Sequence, residues 1–238
     1  MEKIKMHLIV FAAVAVSSLN VANAQFSVGA DVANRYLWRG QLLASGPVVQ
    51  PYVSYGFQFD TSGVFSLTAG ALGSYGIGQG FDGTEADLYL TLTGGPFSLT
   101  FTDYYFPSDA QFAVEKDNYF NYKDGETGHV FEGMVSFNGL EKLPLSASLA
   151  YNFKGADADK SLFLDLKYTI GNAQLGMSFG DGWYTTETNG KDKFSLINTS
   201  VGYTKYIKFS EDYSLPVFGR VAVNPNLEKL YIIFGITL

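Results

Sequence analysis

Cysteine is absent from the chain, which excludes disulfides, thiolate metal centres and the lipidated cysteine of a lipoprotein. Histidine is almost absent too: His7 lies near the N-terminus and His129 stands alone in the rest, which removes most imidazole-based catalysis and metal binding. Basic residues are few. With 16 Lys and Arg against 23 Asp and Glu, there is no cationic stripe to hold a phosphate backbone, so nucleic acid is excluded as a partner. Also missing is any apolar run of the roughly 20 residues that a membrane-spanning helix needs.

The longest apolar run is at the N-terminus. Lys3 and Lys5 precede residues 8–16, and "SSLNVANA" follows, with Ala22 and Ala24 in the small-residue spacing of a signal-peptidase site. Residues 1–24 therefore read as a cleaved signal peptide and residues 25–238 as the mature domain. Losing Glu2, Lys3 and Lys5 with the leader takes the formal net charge from −7 to −8.

The remainder alternates. In the stretch 26–59, Phe26, Val28, Ala30, Val32, Tyr36 and Trp38 fall on one parity, and Ser27, Asp31, Arg35 and Arg39 on the other. A period of two is the mark of a strand, whose successive side chains point to opposite faces. About twelve such segments follow one another, most about 10 residues long, the length a tilted strand needs to cross a bilayer. Leu145, Ala147, Leu149, Tyr151 and Phe153 oppose Ser146, Ser148 and Asn152. Leu162, Leu164, Leu166 and Tyr168 oppose Asp165, Lys167 and Thr169. Leu230, Ile232, Phe234, Ile236 and Leu238 share a face in the last segment. Two segments are irregular: Asp103 interrupts an apolar face, and a change of phase near Leu196 and Ile197 predicts a β-bulge.

The connections alternate in length. "DTSG", "GGP", "NGLEKLP", "IGN" and "KFSED" are short, whereas "GQLLASG", "YGIGQGFDG", residues 107–127, "KGADADK", "DGWYTTETNGKD" and "NPNLE" are mostly longer. Short periplasmic turns alternating with longer extracellular loops predict an all-β fold, a transmembrane antiparallel up-and-down β-barrel of about 12 strands. Closure gives every backbone N–H and C=O a partner in lipid. A soluble β-sandwich would alternate as well, but without the asymmetry of its turns. The expected location is the outer membrane of a Gram-negative bacterium, with outer-membrane lipid and the barrel-insertion machinery as partners.

In such a barrel the apolar parity meets lipid. That places Asp31, Arg35, Arg39, Glu85, Asp87, Glu132, Asp165, Lys167, Arg220 and Lys229 in the lumen, and Tyr36 and Trp38 in the outer aromatic girdle. Twelve strands leave room for a narrow channel, so the expected function is porin-like passage of small hydrophilic solutes. The alternative is a structural or adhesive barrel whose lumen is shut by pairing of the same charges. The long segment 107–127, with Phe112, Tyr119, Phe120 and Tyr122, is the expected gate if it folds into the mouth, and equally reads as an aromatic-rich surface loop lying outside it. "KGADADK" and "DGWYTTETNGKD" bring carboxylates together without the spacing of an EF-hand, and read as solvated loops. No cofactor or metal site is expected. His129 is followed by Val130 and Phe131, not by a serine at the spacing barrel lipases and deacylases use, so a lipid-modifying enzyme is the least favoured reading.

The stretches "NRYLWRGQLLASGPVVQPYVSYGF", "SGVFSLTAGALGSYG" and "GTEADLYLTLTGGPFSLTFTDYYFP" resemble the TorF-type porins, a family of outer-membrane barrels of unassigned substrate. The Tyr36-x-x-Arg39-Gly40 element, Pro47, Gln50 and the Glu85-x-Asp87 pair carry the resemblance, which thins after Pro107. It implies a barrel in the outer membrane and no named solute.

Overall fold

The computed structural model describes residues 24–59, 63–78, 84–107, 118–185 and 193–238. Most of the expected leader (1–23), the centre of the expected gate (108–117) and residues 186–192 lie outside them. The described chain is built from strands: β1 (Ala24–Ala33), β2 (Tyr36–Trp38), β3 (Gln41–Ala44), β4 (Val48–Gln58), β5 (Phe65–Gly76), β6 (Glu85–Gly94), β7 (Phe97–Tyr105), β8 (His129–Phe137), β9 (Leu145–Gly155), β10 (Leu162–Ile170), β11 (Ala173–Gly180), β12 (Ser195–Lys208), β13 (Ser214–Asn224) and β14 (Lys229–Thr237).

Twelve of these close into one antiparallel barrel, each pairing with its sequence neighbour and β1 pairing with β4 and β14. The two others, β2 and β3, form a separate two-stranded sheet. The first alternating segment therefore does not run on to Trp38. It stops at Ala33, and the next eleven residues turn back on themselves as a hairpin.

Alternation sorts the wall as the residue types require. Leu149 and Tyr151 of β9 and Leu230, Ile232 and Phe234 of β14 are exposed on the outside, while Ala150, Asn152, Tyr231 and Ile233 are buried inside. Ile197 is the extra residue of a bulge, because Ser178 pairs with Asn198 and Phe179 with Leu196; the expected phase change is present. Exposed aromatic residues gather at both rims, with Phe59, Phe65, Phe97, Tyr206 and Phe209 on the short-turn side, and Tyr75, Phe120, Tyr122 and Phe194 on the long-loop side.

The seam between β1 and β14 is short. Asp31, Val32 and Ala33 pair in register with β14 and Ala30 exchanges two backbone hydrogen bonds with Leu238, against ten residues of β1 paired with β4. Asn34 lengthens the seam by one step: its backbone N–H donates to the Phe234 carbonyl at 3.0 Å, its Oδ1 accepts from the Phe234 N–H at 2.9 Å, and its Nδ2 donates to the Ile232 carbonyl at 3.2 Å. A side-chain amide thus stands in for a strand residue where the chain must leave the ladder.

Candidate functional site

The β2–β3 hairpin folds into the barrel. Arg39 and Gly40 form its two-residue turn, both with positive φ, 48° and 79°, the combination a type I′ hairpin turn demands. Gly40 is required for a second reason, since a Cβ there would stand 2.2 Å from the Ile197 carbonyl oxygen. The turn is pressed against the bulge of β12. The Asn224 amide of β13 donates to the Gly40 carbonyl at 2.9 Å, and the Gln41 amide donates to the Trp183 carbonyl.

The apolar sides of the hairpin fill the lumen. Tyr36, Leu43 and Ala44 pack with Ala33 and Val48, and Leu37 packs with Ala222, Tyr231 and Ile233 of the inner wall. Burying side chains of this size stabilises the seat by about 1.5–3 kcal/mol each. Tyr36 and Trp38 therefore do not belong to the outer girdle. The expectation fails because parity was carried through a chain reversal, and the exposed rim aromatics are other residues.

At the hairpin tip the Arg39 guanidinium meets Glu132 of β8 in a two-point ion pair. Nη1 donates to Oε2, and Nη2 to Oε1 at 2.8 Å. Nη1 also donates to the Tyr184 hydroxyl at 2.6 Å, and the Tyr104 hydroxyl donates to Glu132 Oε1 at 3.0 Å. The guanidinium carbon lies 4.2 Å from the Phe163 ring centroid and 4.6 Å from that of Trp38. Both charged side chains are almost wholly removed from solvent, at 9% and 1% exposure. A fork-to-fork pair of this kind is strong and orientation-specific. Burial raises the Tyr184 phenol above its ordinary range, with the Arg39 cation pulling the other way, so it serves the cluster as a neutral hydroxyl. Tyr184 is delivered by a 3₁₀ turn, Gly182–Tyr184, whose Trp183 N–H donates to Ser161 Oγ at 2.8 Å.

The remaining expected lumen residues divide into four groups. Glu85 and Asp87 of β6 are buried beside the Tyr36 phenol of the hairpin. Asp165 and Lys167 pair with each other at 2.7 Å, and Asp31 accepts from the Thr237 hydroxyl at 2.6 Å. Arg35 and Arg220 line a cavity of about 440 Å³ beneath the hairpin, together with Asp31, Gln50, Asn172 and Gln174. Lys229 stands exposed at the long-loop rim. Tyr104, Tyr184, Asn224 and Gln41, which complete the clamp, carry no motif in the sequence.

The long loop does something else. Asp103, Tyr105, His129 and Phe131 alternate away from Tyr104 and Glu132, so they lie on the outer face of the barrel. There His129 is fully buried, its Nδ1 2.7 Å from Asp103 Oδ1 and its Nε2 2.7 Å from the Tyr119 carbonyl, with the rings of Tyr105, Tyr119 and Tyr122 around it. The described part of the expected gate, 118–127, is thus fastened outside the wall. This also accounts for the break that Asp103 makes in its apolar face. In "KGADADK", the Asp157 carboxylate is taken by the Asn152 amide and by the N–H groups of Asp159 and Ser161; it ties a tight loop. Among the described residues no three His, Cys, Asp or Glu side chains gather to hold a metal ion.

No family model matches the chain, and no curated protein matches it either.

Proposed function

We propose that the protein is an outer-membrane channel for small hydrophilic solutes, closed at rest by the β2–β3 hairpin. The observation that carries this reading is the independence of plug and wall. The twelve wall strands close on one another without β2 or β3, so the hairpin can leave the lumen without breaking one wall ladder. A lumen filled by side chains of the wall itself serves only stability, whereas a hairpin outside the ladders of a continuous barrel is suited to act as a gate. The outer surface supports a bilayer setting, since Val28, Leu88, Leu90, Phe101, Val135, Leu149, Val201 and Ile232 are all exposed, a band far beyond what a soluble protein tolerates. Exposed aromatics at both rims fit the two interfaces. Membership of the TorF-type porins is part of this proposal, and it gives the Tyr36-x-x-Arg39-Gly40 element a role as the tip of the plug.

A second reading, a permanently closed structural barrel, is favoured by the buried Arg39–Glu132 clamp. Liposome swelling with the purified protein separates the two. Passage of a small neutral sugar through the parent barrel, slow but above empty liposomes, supports the channel. Impermeability of both the parent and a barrel freed of its clamp supports the closed barrel.

A further inference from the structure

We propose that the cavity beneath the hairpin is a binding site for a small solute carrying an oxyanion, a carboxylate or a phosphate, held by Arg35 and Arg220. As the selective step of the channel this rests on the reading above; as a binding site it stands by itself.

The three lumen arginines are not equivalent. Arg39 has Glu132 on both of its terminal nitrogens. Arg35 and Arg220 have no carboxylate within 4.0 Å among the described residues. Among the described residues Arg220 makes one hydrogen bond, donated to the Leu37 carbonyl at 3.4 Å, with the Asp165 charge farther off, and Arg35 Nε is buried with no hydrogen-bond partner. Both side chains are half-buried, so each guanidinium keeps donors for an acceptor in the cavity, and the buried Arg35 N–H left unmade is costly. Two such groups in one cavity are complementary to an oxyanion, whose geometry the guanidinium fork matches.

The cavity has the dimensions for it. About 440 Å³ lies within the range of small-molecule sites. Its wall adds the amides of Gln50, Asn172 and Gln174 and the hydroxyls of Thr169 and Thr204, groups that suit the polar remainder of a hydrophilic solute. Asp31 in the same wall already accepts from Thr237, and its charge favours an anion of low valence over a highly charged one. The cavity extends from the underside of the hairpin, at Tyr36 and Leu37, to the β10–β11 turn at Gly171 and Asn172, on the side of the short turns. A bound anion there touches the base of the plug.

Calorimetric titration of the folded, detergent-solubilised barrel at low ionic strength tests the site without any flux, using succinate and inorganic phosphate as the two probes. Binding of either supports the proposal, and which one binds tells the carboxylate from the phosphate. Arg35→Gln and Arg220→Gln should each weaken that binding about tenfold or more, the worth of a lost charge-assisted hydrogen bond. Arg35→Lys, which keeps the charge without the fork, should fall between, and Lys229→Gln at the rim should bind as the parent does. Heat-modifiable migration on gels verifies that each variant is folded. Absence of binding by both anions to the folded parent overturns the proposal, as does equal affinity in the folded glutamine variants. Failure of the channel reading shows separately, as binding without permeation.

Discussion

Glu132→Ala should loosen the plug while leaving the wall intact. The carboxylate accepts from both terminal nitrogens of Arg39 and from the Tyr104 hydroxyl, and its removal leaves a guanidinium that is 9% exposed with the Tyr184 and Tyr104 hydroxyls as its acceptors among the described residues. Breaking one side of a buried ion pair costs about 3–5 kcal/mol. No backbone bond of the wall ladders is lost, and within the wall only the Tyr104–Glu132 side-chain hydrogen bond goes with it, so most of that energy falls on the hairpin. At 1.4 kcal/mol per decade, the fraction of barrels with the hairpin released should rise about 10²-fold or more. The apolar seat of Leu37, Leu43 and Tyr36 remains, so most hairpins stay in place and openings are transient. The chain has two tryptophans, Trp38 on the hairpin and Trp183 against Gln41, so intrinsic fluorescence reports on the plug and little else. Single-channel recording should show frequent openings in the variant and rare ones in the parent, with greater iodide quenching. Arg39→Met with Glu132→Leu, which removes both charges, should close the barrel again, because an apolar replacement of a buried pair is often neutral or stabilising. Unchanged opening and quenching in a folded Glu132→Ala barrel, or a double variant as open as the single one, would refute the reasoning.

Leu149→Arg on the outer face should destabilise the barrel by about 2–4 kcal/mol in lipid, and Ser148→Arg on the inner face much less; equal unfolding penalties in urea would contradict the assigned faces. Gly40→Val should unseat the turn, because φ is 79° and the added Cβ meets the Ile197 carbonyl, and tryptophan quenching should rise as it does for Glu132→Ala. His129→Ala should release residues 118–127 from the outer wall and open them to limited proteolysis, with the barrel core still protected. Asn34→Ala should weaken the β1–β14 seam by about 1–3 kcal/mol through the unpaired Phe234 N–H and Ile232 carbonyl, visible as faster amide exchange in β14 than in β13.

The wall was legible because a period of two is a property of the chain itself. Leu149 and Ser148 reveal their faces by type alone, and even the bulge at Ile197 shows as a slip of phase. The hairpin was harder, because Tyr36 and Trp38 keep the apolar parity of β1 across a reversal, and they are residues that suit an interface as well as a core. Two signals were nevertheless present. Gly40, midway between the apolar triplets 36–38 and 42–44, is a turn residue, and Tyr231 and Ile233 put apolar side chains on the inner face of β14, where a water-filled lumen has no use for them. Which acid meets Arg39 was not legible at all: Glu85, Asp87 and Glu132 share the inward parity, and only the stagger of the strands brings Glu132 to the hairpin tip. Nor does periodicity tell that Asp103 and His129, 26 residues apart, meet outside the wall.

Replacing residues 36–44 by a short glycine-serine link, followed by conductance measurement in planar bilayers, addresses the central claim that the β2–β3 hairpin closes an otherwise open barrel. The wall ladders do not involve these residues, so the variant should fold, retain heat-modifiable migration and conduct steadily, where the parent is silent apart from brief openings. A folded, membrane-inserted variant that passes no current, or a parent that conducts as freely as the variant, would contradict it.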